Sequence, residues 1–331
     1  MEPDREQVKV VIIVGPTASG KTELAVRLAE SIDGEIVNAD SMQVYRGMDI
    51  GTAKPSPELK GRVPHHLLDI VAPSVNFTAA DFVEVGQAAI ADIRRRGRQA
   101  IVVGGTGLYI RALLFGLAPS PAGSEAIRRD LEAVAEQYGP EELLRRLAAV
   151  DPVTAARLHQ NDRVRIIRAL EVFQQTGIPL SRYQQEHGFA AAQYDYLKIG
   201  IEVEREELYC RIDERVERMF ADGLVAEVTR LLEQGCLPGD KSMGSIGYQE
   251  VVELLAGSID LAEAKRLIAR NTRWYAKRQL TWFRREQEIK WVEYPKSFAS
   301  ILATVIAFLE KERNHVKSPI QYPGPVPEPV P

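Results

Sequence analysis

The segment Gly15-Pro16-Thr17-Ala18-Ser19-Gly20-Lys21-Thr22 determines how the rest of this 331-residue chain can fold. It follows the apolar run Val8–Val14 and precedes a helical pattern that begins near Lys21, which is the strand, turn and helix order of a phosphate-binding loop. Glycines let the backbone wrap an anion with its N–H groups inward, and the helix start adds its positive dipole end. Lys21 would neutralise a phosphate, and the Thr22 hydroxyl would hold Mg²⁺. The loop does not identify the molecule to which the phosphates belong, and a nucleotide is the first candidate.

The length and composition of the chain allow a large α/β core with a smaller second domain. The chain is 45% hydrophobic, and 42 Lys plus Arg stand against 46 Asp plus Glu, which gives a net charge of -4. This total does not by itself suggest a nucleic-acid partner. The charge distribution does predict a local basic face, because the stretch 266–285 lacks carboxylates and carries the cations Arg266, Arg270, Arg273, Lys277, Arg278, Arg284 and Arg285.

A cytoplasmic location is expected. Cys210 and Cys236 lack a metal-type spacing and are too few for a disulfide framework, which fits a reducing compartment. The first residues contain no apolar signal region, and no apolar run approaches the length that spans a membrane.

Strand and helix patterns alternate at both ends of the chain. Apolar runs at 8–14, 35–38, 100–103, 197–203 and 289–292 predict buried strands, and amphipathic segments between them predict helices. The fold class predicted is therefore α/β, with a P-loop NTPase-like parallel sheet flanked by helices. Residues 1–118 and 193–316 form this core.

Residues 119–192 are predicted to be an inserted, all-helical domain. Helical patterns run over 125–138, 140–150, 152–158, 163–176 and 180–186, with turn residues between them. The arginines of this insertion either contact a polyanion or form a solvated helix face, and the sequence leaves both readings open. The proline-rich segment 317–331 is predicted to be a disordered tail.

Two segments follow strands of the predicted sheet. Asp40-Ser41-Met42-Gln43-Val44-Tyr45 follows the second strand, and the Gly-rich turn Gly104–Tyr109 follows the third. The carboxyl ends of parallel strands face the ligand crevice, so Asp40 and Thr106 are expected beside the phosphate loop. The third strand does not end in the Asp of a nucleotide hydrolase, and no Asn-Lys-x-Asp guanine reader follows. Both observations weaken the nucleotide reading.

Three further features carry polar chemistry. The pair His65-His66 lies in a segment, 47–73, that is predicted to be loop-rich, and a structural or hydrogen-bonding role is favoured over metal binding there. Arg211, Arg215 and Arg218 share one stripe of a helix at 206–220, from which one cation can reach a phosphate. The helix from 261 interleaves cations with aromatic residues, which fits RNA backbone neutralisation with base stacking, and equally a helix that buries its aromatics while arginines reach solvent.

Several blocks, taken together and in this order, resemble the tRNA dimethylallyltransferases, the bacterial isopentenyl transferases of the anticodon loop. The resemblance covers nearly the whole chain to about Arg313, and the blocks are Gly15–Thr22, Asp40–Tyr45, Asp49–Pro55, Gly104–Tyr109, Arg168–Val172 and Tyr275–Arg284.

The resemblance implies that the loop holds the diphosphate of dimethylallyl diphosphate, whose prenyl group moves to N6 of the adenine 3′ of the anticodon, position 37 of tRNAs reading codons that begin with U. It implies Mg²⁺ as cofactor, with Thr22 as its ligand, and Asp40 as the base. It places Lys21, Thr106 and Arg215 at the diphosphate, with Arg211 as a second choice on the same stripe. The diphosphate-binding residues are Gly15, Pro16, Thr17, Ala18, Ser19, Gly20, Lys21 and Thr22.

The helical insertion and the basic helix are expected to contact the tRNA anticodon stem-loop. The tRNA-binding residues so implied are Asp40, Ser41, Met42, Gln43, Thr106, Arg128, Val164, Arg165, Ile166, Ile167 and Arg168, and the basic helix adds Arg278. No membrane partner is expected, and the protein is expected to be a monomer.

The chain departs from the family pattern at Gly244, where a polar or basic residue is usual, at Gln249, where a basic residue is usual, and at Trp274, where arginine is common. No cysteine pair follows Cys236, so the zinc-finger extension of eukaryotic relatives is not expected. Two other functions stay open: a P-loop kinase of a small molecule or nucleoside, and a non-catalytic RNA-binding switch that hydrolyses nucleotide.

Overall fold

A parallel sheet forms the centre of the molecule. The structure, a computed structural model, describes residues 8–188, 191–286 and 288–311. Six strands pair in the order β3-β2-β4-β1-β5-β6, all in parallel. The strands are β1 Lys9–Val14, β2 Gly34–Asn38, β3 His65–His66, β4 Gln99–Gly104, β5 Asp195–Glu202 and β6 Ile289–Glu293.

Helices connect and cover the strands. In chain order they are α1 Lys21–Ser31, α2 Pro57–Arg62, α3 Ala79–Arg95, α4 Gly107–Phe115, α5 Glu125–Tyr138, α6 Pro140–Val150, α7 Pro152–Ala155, α8 Arg163–Thr176, α9 Leu180–His187, α10 Arg205–Ala221, α11 Leu224–Glu233, α12 Tyr248–Leu255, α13 Leu261–Phe283 and α14 Phe298–Glu310. The predicted α/β fold, a parallel sheet flanked by helices, is confirmed.

The chain divides into two compact units. One contains the chain up to Leu114 and again from Gln193, and thus the whole sheet, while the other is Phe115–Ala192. The predicted tail, 317–331, lies outside the described residues. Among the residues that are described, no helix has the length and apolar composition needed to cross a membrane.

The central strand explains why the sheet is buried. Val10 to Val14 of β1 are fully buried, and their β-branched side chains pack well on a sheet that is covered on both faces. The ladders pair Val14 with Gly104 of β4 on one side and with Gly200 of β5 on the other. The carboxyl ends of these strands therefore meet at one edge, where the loops that follow β1, β2 and β4 emerge.

The second unit has its own apolar core. Helices α5, α6 and α8 bury Leu131, Leu143, Leu147 and Ile166 against one another. On α5 and α6 the buried residues recur every four positions, Leu131 with Ala135 and Leu143 with Leu147, so each of these two helices turns one stripe to the core.

Three parts of the sequence prediction need correction. The segment predicted to be loop-rich contains α2, which is capped by the Ser56 hydroxyl at the N–H of Leu59 and begins at a proline, and the short edge strand β3. The turn predicted over Gly104–Tyr109 ends at Thr106, because α4 begins at Gly107. Helix α7 ends at Ala155 rather than at Leu158.

Candidate active site

The phosphate loop has the backbone of an anion cradle. Gly15 and Gly20 have positive φ angles of 150° and 89°, and Ala18 has a φ of 64°, which is a costly conformation for a residue with a side chain. Lys21 folds back so that its Nζ donates to the carbonyl of Pro16 at 2.6 Å. Ser19 is fully buried, and its Oγ has no hydrogen-bond partner within the described part of the chain. Strain and an unpaired buried hydroxyl in one loop are typical of a ligand site.

Lys21 is electrostatically tuned. Burial lowers the pKa of its ammonium to about 7, while the nearby Asp40 carboxylate acts to raise that pKa and Arg215 acts to lower it. An arriving anion would favour the charged form and so bind more tightly to it. The loop is therefore prepared for an anionic ligand.

A second cation reaches the loop from helix α10. Nη1 of Arg215 donates to Oγ1 of Thr17 at 3.0 Å. Burial and the neighbouring Arg218 lower the pKa of this guanidinium, although Asp40 acts to raise it. Arg211, on the same stripe, pairs instead with Glu207 one helical turn away. Of the predicted pair Arg215 and Arg211, Arg215 is the one that the fold brings to the loop.

Asp40 follows β2 at the same edge of the sheet. Its Oδ1 accepts hydrogen bonds from the N–H groups of Met42 at 2.8 Å and Gln43 at 3.3 Å, which fixes the carboxylate over the start of its own loop. The Gln43 amide donates to the carbonyls of Thr52 and Ala53, both at 3.2 Å. Gln43 thus holds the loop together as well as lining it.

Thr106 lies against the Asp40 loop. Its hydroxyl accepts from the N–H of Ser41 at 3.1 Å, and its own N–H donates to the carbonyl of Ala39 at 3.3 Å. Gly104 lies so close to Ala39 that a Cβ on Gly104 would be 2.0 Å from the Ala39 carbonyl oxygen, so glycine is required at this position. The structure thus brings together the predicted residues Lys21, Asp40, Thr106 and Arg215 at the loop.

Helix α13 supplies two site residues that the sequence analysis missed. Burial and the nearby Asp40 charge raise the pKa of the Tyr275 phenol, which lies beside Thr106 and Gln279. Gln279 accepts from the N–H of Thr17 at 2.8 Å and donates to the carbonyl of Gly105 at 3.0 Å. Both residues occur in the block Tyr275–Arg284, where their four-residue spacing on one helix face was the available signal.

A buried carboxylate on α11 supports the neighbouring loop and was also missed. Glu227 is 2% exposed and accepts hydrogen bonds from the N–H groups of Asp49, Ile50 and Gly51, and from the hydroxyl of Tyr248 at 2.6 Å. A Cβ on Gly51 would lie 2.4 Å from the Tyr248 ring. This packing explains the glycine of the Asp49–Pro55 block.

The two adjacent histidines have hydrogen-bonding roles, as predicted. His65 Nδ1 lies 2.9 Å from the carbonyl of Val63, and His66 Nε2 lies 2.7 Å from the buried carboxylate of Glu35. Hydrogen bonds from Arg96 and His66 lower the pKa of Glu35 to about 2 against the opposing effect of burial. Throughout 8–188, 191–286 and 288–311, no group of three or more His, Cys, Asp and Glu side chains is placed to hold a metal.

The tRNA-binding residues predicted in the second unit fall into two groups. Val164 and Arg165 are exposed on α8, whereas Ile166 and Ile167 are buried in the core of this unit. The prediction that Ile166 and Ile167 contact tRNA through their side chains therefore needs correction, because both side chains point into the core of this unit.

Arg128 and Arg168 of this unit converge on one carboxylate. Arg128 Nε donates to the fully buried Glu171 at 2.8 Å, and Arg168 Nη1 donates to the same side chain at 2.5 Å. The two guanidiniums remain partly exposed. A single carboxylate thus orients both cations while leaving a net positive charge at the surface.

Helix α13 buries part of its surface and exposes cations. Phe283 and Ala276 are buried, while Arg278 is exposed with its guanidinium 5.7 Å from the Tyr275 ring centre. Trp274 is 54% exposed, and the Arg270 guanidinium lies 4.7 Å from its ring centre. The helix anchors itself by one face and presents cations and an indole on another.

The chain is similar to known proteins along nearly its whole length. Residues 43–286 match the model of the family described as IPP transferase. A protein of Geotalea daltonii named tRNA dimethylallyltransferase 2 is 61% identical over 97% of this chain and 99% of its own, and one of the same name from Geotalea uraniireducens is 65% identical over 93% of this chain and 99% of its own.

Solved structures give the same result. The tRNA isopentenylpyrophosphate transferase of Bacillus halodurans is 41% identical with a TM-score of 0.68, covering 91% of this chain and 97% of that one. A eukaryotic dimethylallyltransferase, described as acting on tRNA, is 28% identical with a TM-score of 0.76, covering 91% of this chain and 79% of that one.

Proposed function

The chain belongs to the IPP transferase family and acts as a prenyltransferase on tRNA, and from this premise we propose its donor, acceptor atom and reacting residues. The donor is dimethylallyl diphosphate. The acceptor is N6 of the adenine 3′ of the anticodon, position 37, in tRNAs that read codons beginning with U. The products are N6-(dimethylallyl)adenosine in the tRNA and diphosphate.

The convergence of two cations and one carboxylate at the carboxyl edge of the sheet is the observation that carries this proposal. When the bond between the allylic carbon and oxygen breaks, its electron pair leaves with the diphosphate, where negative charge accumulates. The backbone of the loop, Lys21 and Arg215 surround the position at which that charge develops, and such preorganised groups lower the barrier. The loop therefore binds the leaving group more strongly as it departs.

Asp40 supplies the base. The exocyclic amine of adenine is a weak nucleophile because its lone pair is delocalised into the ring. Removal of its proton by a carboxylate strengthens it as the bond from N6 to carbon forms. The hydrogen bonds from the N–H groups of Met42 and Gln43 hold Asp40 in place for this proton transfer. Adenine must leave its stack to reach Asp40, which fits a loop nucleotide as acceptor.

We propose Mg²⁺ as cofactor, held by the Thr22 hydroxyl together with diphosphate oxygens. Mg²⁺ prefers oxygen ligands and binds commonly through substrate phosphates and few protein groups, so one hydroxyl at the start of α1 fits it. When bound, the ion would neutralise part of the diphosphate charge.

Recognition of tRNA is assigned to both units. In the first unit we propose contacts from Asp40 to Gln43, Thr106 and Arg278, and in the second from Arg128, Val164, Arg165 and Arg168. We further propose that the protein is a cytoplasmic monomer, which its two free thiols, Cys210 and Cys236, fit.

The decisive experiment incubates the protein with labelled dimethylallyl diphosphate, Mg²⁺ and unmodified tRNA, followed by digestion and mass analysis of the nucleosides. We expect one dimethylallyl group on adenosine, and none when guanosine replaces adenosine 37. Parallel reactions with ATP test the kinase alternative. Phosphorylation of a metabolite with adenosine left unmodified would replace the proposed function by that alternative.

A further inference from the structure

One side chain joins the phosphate loop to the turn that carries Thr106. Gln279 of α13 is 6% exposed. Its Oε1 accepts from the N–H of Thr17 at 2.8 Å, and its Nε2 donates to the carbonyl of Gly105 at 3.0 Å. The three groups are far apart in sequence, so this contact exists only in the assembled site.

The sheet itself stops short of the place where these groups meet. Backbone pairing between β1 and β4 continues to Val14 and Gly104 and fixes the strand spacing to that point. Beyond these residues the segments that follow β1 and β4 turn into loops, so a side chain that contacts both loops can set the distance between them. The Gln279 amide connects Thr17, three residues after Val14, with Gly105, which directly follows Gly104.

The chemistry of an amide suits this position. One backbone donor and one backbone acceptor must both be satisfied, and a primary amide presents an acceptor and a donor side by side. The fit is close, since a Cβ on Gly105 would lie 2.0 Å from Nε2. Gln279 therefore leaves little freedom in the distance between the two turns.

Each turn carries a different half of the reaction site. Thr17, on the phosphate loop, accepts from Arg215, while Gly105 precedes Thr106, whose hydroxyl is bonded to the residue after Asp40. The phosphate loop thus lies at the leaving group, and the turn that contains Gly105 lies at the base and the acceptor amine.

We propose that Gln279 is a positioning residue, which sets the separation between the diphosphate cradle and the Asp40–Thr106 side of the site. The proposal rests on the prenyl transfer proposed above. A displacement of about 1 Å between reacting groups can cost about 100-fold in rate, so the contact matters for turnover although Gln279 itself touches neither reacting atom.

The test compares Gln279→Met with Gln279→Glu, with Gln234→Glu on the exposed end of α11 as a control. The methionine has a similar shape and lacks both hydrogen bonds. We expect Gln279→Met to lower kcat about 100-fold, with the Kd for tRNA within about twofold of the wild-type value because the tRNA surface is unchanged. A kcat close to that of the wild type, or a parallel loss of kcat and tRNA binding, would overturn the proposal.

Gln279→Glu adds a signature that general destabilisation does not produce. Its carboxylate accepts from Thr17 but repels the carbonyl of Gly105, whereas its protonated form donates to that carbonyl as the amide does. The ratio of its kcat to that of the wild type should therefore rise as the pH falls. Lys21, Arg215, Asp40 and Tyr275 also face this site, and they are present in both proteins. A ratio that does not change with pH counts against the proposal.

A readout without prenyl transfer separates this proposal from the proposed function. Calorimetry with inorganic pyrophosphate and Mg²⁺ should show about tenfold weaker binding by Gln279→Met, which corresponds to the loss of one hydrogen bond's contribution. If wild-type protein modifies no tRNA, the proposed function fails while this comparison still judges Gln279. Equal pyrophosphate affinities of the two proteins would overturn the role of Gln279.

Discussion

Arg215 of α10 donates a hydrogen bond to the hydroxyl of Thr17 in the phosphate loop, with 3.0 Å between Nη1 and Oγ1. The two residues lie nearly 200 positions apart in sequence, so the cation reaches the loop by tertiary packing. Ile212 and Val216 on the same helix are buried, which fixes the side from which Arg215 approaches. The proposed diphosphate site is therefore built by distant parts of the sheet-containing unit rather than by the loop alone.

Arg215→Met is expected to reduce kcat/KM for dimethylallyl diphosphate about 100-fold, which is the usual cost of removing one group that stabilises developing charge. The Kd for tRNA should change little, because Arg215 faces the diphosphate. Steady-state kinetics and filter binding measure the two quantities. Arg218→Met, exposed one turn later, is the matched control. Equal losses in both variants would remove Arg215 from the diphosphate site.

Asp40→Asn is expected to lower the single-turnover rate of prenyl transfer about 1,000-fold, within the range for loss of a general base. The asparagine still accepts the hydrogen bonds from Met42 and Gln43, so the loop should keep its shape and tRNA should still bind. Asp222→Asn, at the exposed C-terminal end of α10, serves as the control. Unchanged turnover of the Asp40 variant would refute its role as base.

Lys21 should make diphosphate binding depend on pH. The pKa of Lys21 is about 7 in the folded protein against an ordinary value of 10.5. Between these pH values the unfolded chain binds more protons than the folded one. The contribution of Lys21 to the free energy of unfolding of the ligand-free protein therefore rises with pH in this range. A bound anion favours the charged ammonium. Affinity for pyrophosphate should therefore fall as the pH rises above about 7.

Calorimetry in two buffers of different ionisation enthalpy detects the proton that Lys21 takes up on binding. Lys21→Arg keeps the charge but does not titrate in this range, so it should take up less than wild type, while the ligand's own protonation is common to both. The same uptake by both proteins would show that Lys21 is already charged before the anion arrives.

Arg278→Ala is expected to weaken tRNA binding and to reduce the slope of log Kd against log salt by about 1, since one exposed cation contacts one phosphate. Titrations at several salt concentrations measure the slope. Arg95→Ala is the control, because Arg95 is exposed at the end of α3, before β4 begins and thus at the opposite edge of the sheet. A slope that stays at the wild-type value would exclude a phosphate contact at Arg278.

How far the sequence predicts the site depends on the range of each interaction. The phosphate loop, Asp40 and Thr106 follow strands, and strand order alone brings such positions to one edge. Gln279 and Glu227 act on residues far away in sequence, and a polar residue on an amphipathic helix does not by itself reveal which way it faces. Ile166 and Ile167 show the converse, because the family resemblance suggested a tRNA contact, whereas their side chains are buried in the core of the second unit. The sequence therefore predicts which residues are neighbours where backbone geometry determines the contact, but not where the contact depends on the packing of distant side chains.

We predict that the buried carboxylate of Glu227 stabilises the conformation of the loop Asp49–Gly51. Glu227→Ala leaves three backbone N–H groups and the Tyr248 hydroxyl without their acceptor, and unpaired buried donors of this kind cost about 3 kcal/mol together after partial access by water. Urea unfolding should show this loss, whereas Glu233→Ala, exposed at the end of the same helix, should change stability by less than about 0.5 kcal/mol. Equal stability of the two variants would mean that the loop keeps its conformation without the carboxylate, and that the packing of Tyr248 against Gly51 holds it instead.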